Sequence, residues 1–252
     1  MEIISSEARW PRKLCPERYG MEKRDYSRLL QRLTALGPTQ IIAESSGYPV
    51  HALEVGTGVE VQILLTAGLH GDEPAGPEAA LRFVEALDPG LRCQFLVLPC
   101  LNPHGYVHDT RENEAGLDLN REFGGEKVDL VSGVKAVLEG KRFDFTMDFH
   151  EDWEAAGFYF YEARRDEQWL GPDVIEAVRK VMPIDGEAGE NDEVIAEGVL
   201  LIDPAWGISG LASYLYAHHT DHAMMGETPT KTPLALRAEA HLAALDTALG
   251  AV

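Results

Sequence analysis

The chain is short of positive charge and of sulfur. Lys and Arg number 22 against 42 Asp and Glu, a formal net charge of −20 over 252 residues. So anionic a surface repels phosphate backbones and anionic lipid, which argues against a nucleic-acid or membrane partner. It says little about a substrate, because the field inside a cleft is set locally. Cysteine occurs only at Cys15, Cys93 and Cys100, and no Cys-x-x-Cys pair is present, so a thiolate zinc site is not suggested. Cys93 and Cys100 flank one strand-like run, on opposite faces of it, and are not expected to pair. The three are read as reduced, mostly buried thiols. No apolar run approaches the roughly 20 residues that span a bilayer. The opening MEIISSEARWPRKLCPERYG has no apolar stretch behind its charges and is not a secretory signal, which implies a cytoplasmic protein. Internal repeats, low-complexity tracts and linkers are also missing. The length suits one large domain, residues 1–252, with a substantial core.

What is present is an alternation of strand-like and helix-like segments. Tyr26 to Leu36 carries apolar residues at helical spacing and stops at Gly37-Pro38. Val50 to Val55 reads as a strand. Val61 to Ala67, VQILLTA, is nearly continuous in apolar residues, as expected of a strand covered on both faces. A loop from Gly68 to Gly76 leads to a helix over Pro77 to Leu87, with Pro in its first turn. Further strands are expected at Cys93 to Leu98, Phe143 to Phe149, Phe158 to Tyr161 and Leu215 to Met225. Further helices are expected at Val128 to Leu138, Pro172 to Met182 and, capped by Thr232-Pro233, to about Leu249. The pattern predicts an α/β domain with a central mixed, mostly parallel sheet flanked by helices. In such sheets functional groups gather beyond the carboxyl ends of strands.

Several chemically capable residues fall at those ends. VQILLTAGL is followed by His70-Gly71-Asp72-Glu73, and a His and a Glu three apart at a strand-to-helix turn can face one ion. Zinc takes imidazole nitrogen and carboxylate oxygen, and a catalytic site uses three protein ligands. His-x-x-Glu alone also arises by chance. The strand FDFTMDF ends in His150, which on its own reads equally as a core histidine satisfied by a neighbour. Between them lies a polar segment, Asn102 to Phe123, containing Arg111, Asn120 and Arg121. It reads either as a solvated loop or as a donor-rich wall opposite a metal.

Taken in order, His70-Gly-Asp-Glu73, Asn102-Pro103-His104-Gly105, Asp118-Leu119-Asn120-Arg121 and Asp148-Phe149-His150 resemble the zinc carboxypeptidases of the M14 type. The resemblance covers roughly residues 40–230. It implies one zinc ion per chain held by His70, Glu73 and His150. It implies Glu227, in Met-Gly-Glu-Thr-Pro, as general base and Arg111 as the group that stabilises the oxyanion. It implies Asn120 and Arg121 as a clamp for a substrate carboxylate. Asp148, Asp72 and Glu151 are candidates to hold the outer nitrogens of the metal-bound histidines.

The chain departs from the digestive members of that family, which are longer and secreted. Their mobile tyrosine has no clear counterpart, although Tyr214 and Tyr216 lie nearby. His218, His219 and His222 stand upstream of Glu227, where a second metal is conceivable but a histidine-bearing strand or loop is commoner. On a regular strand His219 would share a face with Glu227. Asp185 to Glu197 carries six acids and reads as a solvated loop, or as a lid that favours a cationic substrate end. The implied activity is cleavage of an amide bond next to a free carboxylate in a short peptide. The alternatives are a zinc-dependent N-acyl amino acid deacylase of the succinylglutamate desuccinylase/aspartoacylase type and, from another class, a non-catalytic metal-binding protein.

Overall fold

The elements follow from where the apolar residues fall. In chain order they are α1 (Tyr26–Leu36), β1 (Thr39–Ser45), β2 (Tyr48–Gly56), β3 (Val61–Ala67), α2 (Ala75–Glu85), β4 (Cys93–Leu98) and α3 (Pro103–His108). Then come α4 (Asp129–Leu138), β5 (Phe145–Asp152), β6 (Tyr159–Arg164), α5 (Gly171–Val178), β7 (Val194–Ala196), β8 (Val199–Leu201), α6 (Leu211–His218), β9 (His222–Pro229) and α7 (Leu234–Gly250). This computed structural model describes residues 24–57, 60–88, 90–125, 127–189 and 192–252. Cys15 lies outside them. No helix among the described residues is long and apolar enough to cross a membrane.

The strands form one mixed sheet in the order β1-β2-β4-β3-β5-β9-β6-β8-β7. Its middle, β4-β3-β5-β9, is parallel throughout. Antiparallel pairing joins β1 to β2, β2 to β4, β6 to β9 and β7 to β8, while β6 and β8 run parallel. Alternate residues of β3 enter different cores. Ile63, Leu65 and Ala67 join a cluster with Phe83 of α2 and Leu245 of α7, whereas Leu64 joins one with Val131 of α4 and Leu215 of α6. Both faces are thus covered, which is why the VQILLTA run is almost unbroken in apolar residues. Cys93 and Cys100 are buried free thiols.

Five local differences from these expectations appear. Leu215 to Met225 is not one strand: α6 ends at His218, and β9 starts at His222. Leu211 and Leu215, one helical turn apart, are both buried in the second core, so the period there is helical. His219 is therefore the residue that ends α6, not a strand neighbour of Glu227. Pro233 precedes α7, but no side chain caps that helix. The first two strands of the sheet include β1, an edge strand whose Ile41 is exposed and which carries little apolar signal. The acidic stretch is not all loop, since β7 lies within it.

One core residue has an acid-sensitive consequence. His241 of α7 is fully buried and stacks on Phe149 of β5, with ring centroids 4.6 Å apart. Burial pushes its pKa down to about 3, and the charges of His150 and Arg237 push the same way. The unfolded chain takes up that proton near the ordinary value of about 6.5. Between these values the unfolded state binds the extra proton, so stability is lost as pH falls from about 6.5 towards 3. Replacing His241 by Gln should make the pH dependence of unfolding free energy shallower by up to about 1.4 kcal/mol per pH unit in that window, measured by denaturant titration at several pH values.

Candidate metal centre

His70 and Glu73 stand in the turn that follows β3. The turn is tight by construction: Gly68 has φ +63°, and a Cβ on Gly71 would lie 2.0 Å from the carbonyl carbon of Gly105. The Arg24 guanidinium donates to the Gly71 carbonyl at 2.9 Å and to the Asp72 carbonyl at 3.2 Å. His150 lies on β5, the parallel neighbour of β3. All three side chains are buried, and one ligand atom from each falls within 4.8 Å of the others.

The two rings present the same nitrogen inward. His70 Nδ1 is 2.7 Å from Glu73 Oε1, His150 Nδ1 is 2.9 Å from Glu73 Oε2, and the two Nδ1 atoms are 3.2 Å apart. Each outer nitrogen has its own carboxylate. His70 Nε2 is 3.2 Å from Asp118 Oδ1, and His150 Nε2 is 2.9 Å from Asp148 Oδ2. Asp148 also accepts from Thr66 Oγ1 at 2.7 Å. Such outer carboxylates fix the tautomer and aim the inner nitrogen at a metal. Two converging imidazole nitrogens and one carboxylate are a donor set that suits a divalent cation with an open position. Among the described residues no other cluster of three potential ligands occurs.

Of the three carboxylates raised from the sequence, Asp148 is the one that touches a candidate ligand, His150. Asp72 does not, and Glu151 turns elsewhere. Asp118 was visible only as part of the Asp-Leu-Asn-Arg motif, and its contact with His70 depends on a loop closing over 48 residues.

Glu227 sits on β9 directly beside His150 in the parallel register. Its Oε2 atom is buried without a hydrogen-bond partner. Burial pushes its pKa up to about 8 in the metal-free site, with the charge of Glu73 adding to the rise and the two histidines opposing it. Arg111 lies at the mouth of the site, with Nη1 3.6 Å from Glu73 Oε1 and Nε and Nη2 each 3.2 Å from Asp118 Oδ2. Asn120 and Arg121 share a single 3-10 turn begun by Asp118, whose carboxylate accepts from the Asn120 amide. Asn120 Oδ1 accepts from the Leu211 amide at 2.8 Å, and Arg121 Nη1 donates to the Asn120 carbonyl at 3.0 Å.

His70, Glu73, Arg111, Asn120, Arg121, His150 and Glu227 all line one cleft of about 550 Å³. Its far wall holds groups that sequence reasoning missed. Tyr159 of β6 stands opposite Glu227, and Tyr161 opposite Met225, in the antiparallel register with β9. Tyr161 donates to Asp192 at 2.6 Å, Tyr159 donates to Asp152 at 3.0 Å, and Trp206 meets Tyr161 edge-on. Only the register of β6 on β9 reveals them. Tyr214, Tyr216, His218, His219 and His222 are not among the lining residues. His219 is held by the Lys141 carbonyl, and His222 by the buried Glu162.

These features can be set against known proteins. The family profile of the succinylglutamate desuccinylase/aspartoacylase catalytic domain matches residues 60–170. A protein from Shewanella amazonensis SB2B that carries the provisional name metallopeptidase superposes with a TM-score of 0.78 at 26% identity, over 89% of this chain and 92% of that one. Carboxypeptidase A from Helicoverpa armigera shares the fold, with a TM-score of 0.68 at 14% identity over 98% of this chain and 76% of that one. The fold is carboxypeptidase-like. The profile match, the metallopeptidase-named neighbour and a murein-peptide relative agree with the resemblance read from the motifs, to an M14-like or desuccinylase/aspartoacylase-like family. Murein peptide amidase A from Escherichia coli K12 is 42% identical over 60 residues, a stretch that spans 24% of this chain and 24% of that protein.

The metal-free centre has a definite proton inventory. Burial lowers the pKa of both histidines, but Glu73 and Asp118 around His70, and Asp148 and Glu73 around His150, outweigh it and leave both raised. A metal must displace those protons. Divalent-metal affinity should therefore fall as pH drops, with net proton release on binding at neutral pH. Calorimetry in two buffers of different ionisation enthalpy measures the release, and a proton count of zero would contradict the assignment.

Proposed function

We propose that the chain is a zinc-dependent hydrolase that cleaves an amide bond next to a free carboxylate in a short peptide. The observation that carries the reading is the parallel register of β5 and β9, which sets a buried, unpartnered Glu227 carboxylate beside the third candidate ligand, His150. A zinc ion held by His70, Glu73 and His150 would supply Lewis acidity, making a water more acidic and a carbonyl more electrophilic. Glu227 takes the proton of the attacking water at its carboxylate and hands it to the leaving nitrogen. Arg111, at the mouth of the centre, stabilises the negative charge that develops on the carbonyl oxygen. Asn120 and Arg121 bind the substrate's carboxylate, the guanidinium through paired hydrogen bonds.

The opposite wall supports a cationic group on the substrate. Asp152 and Asp192 place negative charge there, and Tyr159, Tyr161 and Trp206 offer ring faces to an ammonium group. The acidic segment around Asp192 then acts as part of the cleft. The murein-peptide relative supports short peptides as the substrate class. The two buried free thiols fit a reducing compartment, and the cytoplasm is the proposed location. The match to the desuccinylase/aspartoacylase profile favours one alternative, hydrolysis of N-acyl amino acids by the same groups.

A panel of dipeptides and N-acyl amino acids offered to the zinc-loaded protein separates these readings, and hydrolysis of neither class would refute both. Glu227→Gln should lower kcat by about 10² to 10⁴ while zinc content stays near one per chain. Asp192→Asn should weaken discrimination for a C-terminal Lys over Leu by about fivefold, the equivalent of about 1 kcal/mol for a partly exposed ion pair. Unchanged Lys/Leu selectivity in kcat/KM would remove the cationic wall from the reading.

A further inference from the structure

Helix α2 starts two residues after Glu73, and nothing in its own sequence caps it. The residue before it is Pro74, which supplies no side-chain acceptor. The first amide of the helix, Ala75 N, is instead accepted at 2.6 Å by Oε1 of Glu151, a residue of β5 that follows His150 directly. Glu151 is a fully buried carboxylate, and its other oxygen is paired with the guanidinium of Arg237 on α7. One side chain therefore links the segment that carries His70 and Glu73 to the strand that carries His150, across 76 residues of sequence.

A buried carboxylate is expensive unless it is hydrogen-bonded and neutralised. Glu151 has both kinds of partner: a helix-start amide, where the backbone dipole favours negative charge, and a cation. Ala75 of α2 and Arg237 of α7 face its two oxygens, and Thr228 of β9 lies beside it in the parallel register. Arg24 grips the same turn through the carbonyls of Gly71 and Asp72. The turn is held by an acceptor on its amide side and a donor on its carbonyl side.

We propose that Glu151 is a positioning residue for the metal centre: its hydrogen bond to the Ala75 amide holds Glu73 in reach of His150, and Arg237 serves to neutralise it. The inference rests on the metal reading of the site and not on hydrolysis. It requires the Oε1 acceptor, while the negative charge is dispensable once Arg237 is removed. Outer groups that orient ligands typically change metal affinity by about 10- to 100-fold.

The test uses the full chain and Zn²⁺ alone as the probe, with affinity read by competition against a chromogenic chelator and folding read by circular dichroism. The pair E151Q/R237M keeps an acceptor for Ala75 and leaves no lone buried charge, so its zinc affinity should stay within about threefold of the parent. E151D keeps the charge but shortens the arm, and should bind zinc at least about tenfold more weakly. E151A/R237M should behave like E151D. If E151A/R237M does not fold, the comparison of E151D with E151Q/R237M decides. Lowered melting temperatures with unchanged zinc affinity in E151D and E151A/R237M would overturn the proposal and leave Glu151 as core support. Equal losses in E151D and E151Q/R237M would also overturn it. Failure of the parent protein to bind zinc would overturn this inference together with the metal reading, whereas parental binding with indifferent variants removes this inference alone.

Discussion

Thr66 lies beside Asp148, and His150 beside Glu227, because β3, β5 and β9 run parallel in a fixed register. The His70, Glu73, His150 and Glu227 cluster is anchored to that arrangement. β3 ends opposite Phe149, while β5 and β9 continue together to Asp152 and Pro229, so that the turn after β3 meets side chains on the other two. The register is in turn held by burial of both sheet faces. A slip of one residue would exchange the two cores' side chains and turn His150 away from Glu73. The apolar pattern and the site geometry are therefore one constraint.

That constraint makes possible an otherwise costly concentration of charge. Glu73, Asp148, His70, His150 and Glu151 are all buried in a small volume. Each is tolerated because a neighbour of opposite character is within hydrogen-bond reach. Glu73 is pulled down to about 2 by the two histidines despite its burial, and Asp118 is likewise held below the ordinary carboxylate range by His70 and Arg111. The overall charge of −20 has little bearing on this. In the cleft, arginines on one wall face aspartates on the other, a polarity that composition does not disclose.

Much of the scaffold was legible. β3 and β4 coincide with the strands read from their apolar runs, and α1 with the helix read from its spacing. These segments are buried enough for the pattern to be strong. The stretch after Leu211 was misread because SYLYAHHTDHAMM mixes a helix with one buried stripe and a strand buried on both faces, and no Gly or Pro marks the junction. β1 was missed because this edge strand, TQIIAES, is largely exposed and shows neither a two-residue alternation nor a long apolar run.

The chain's order of motifs by itself singled out the candidate residues: His70, Glu73, His150, Arg111, Asn120, Arg121 and Glu227 are local signatures whose residue types suit metal binding and carboxylate recognition, and the fold brings all seven to one cleft. It also determined the alternation of buried strands and helices. Only the tertiary structure decided the partners. That His70 leans on Asp118, that Tyr159 faces Glu227 and that Glu151 reaches Ala75 are contacts across 48, 68 and 76 residues of chain. Such contacts depend on strand order and register, which arise from the packing of the whole sheet and leave no mark in the local sequence around any one residue.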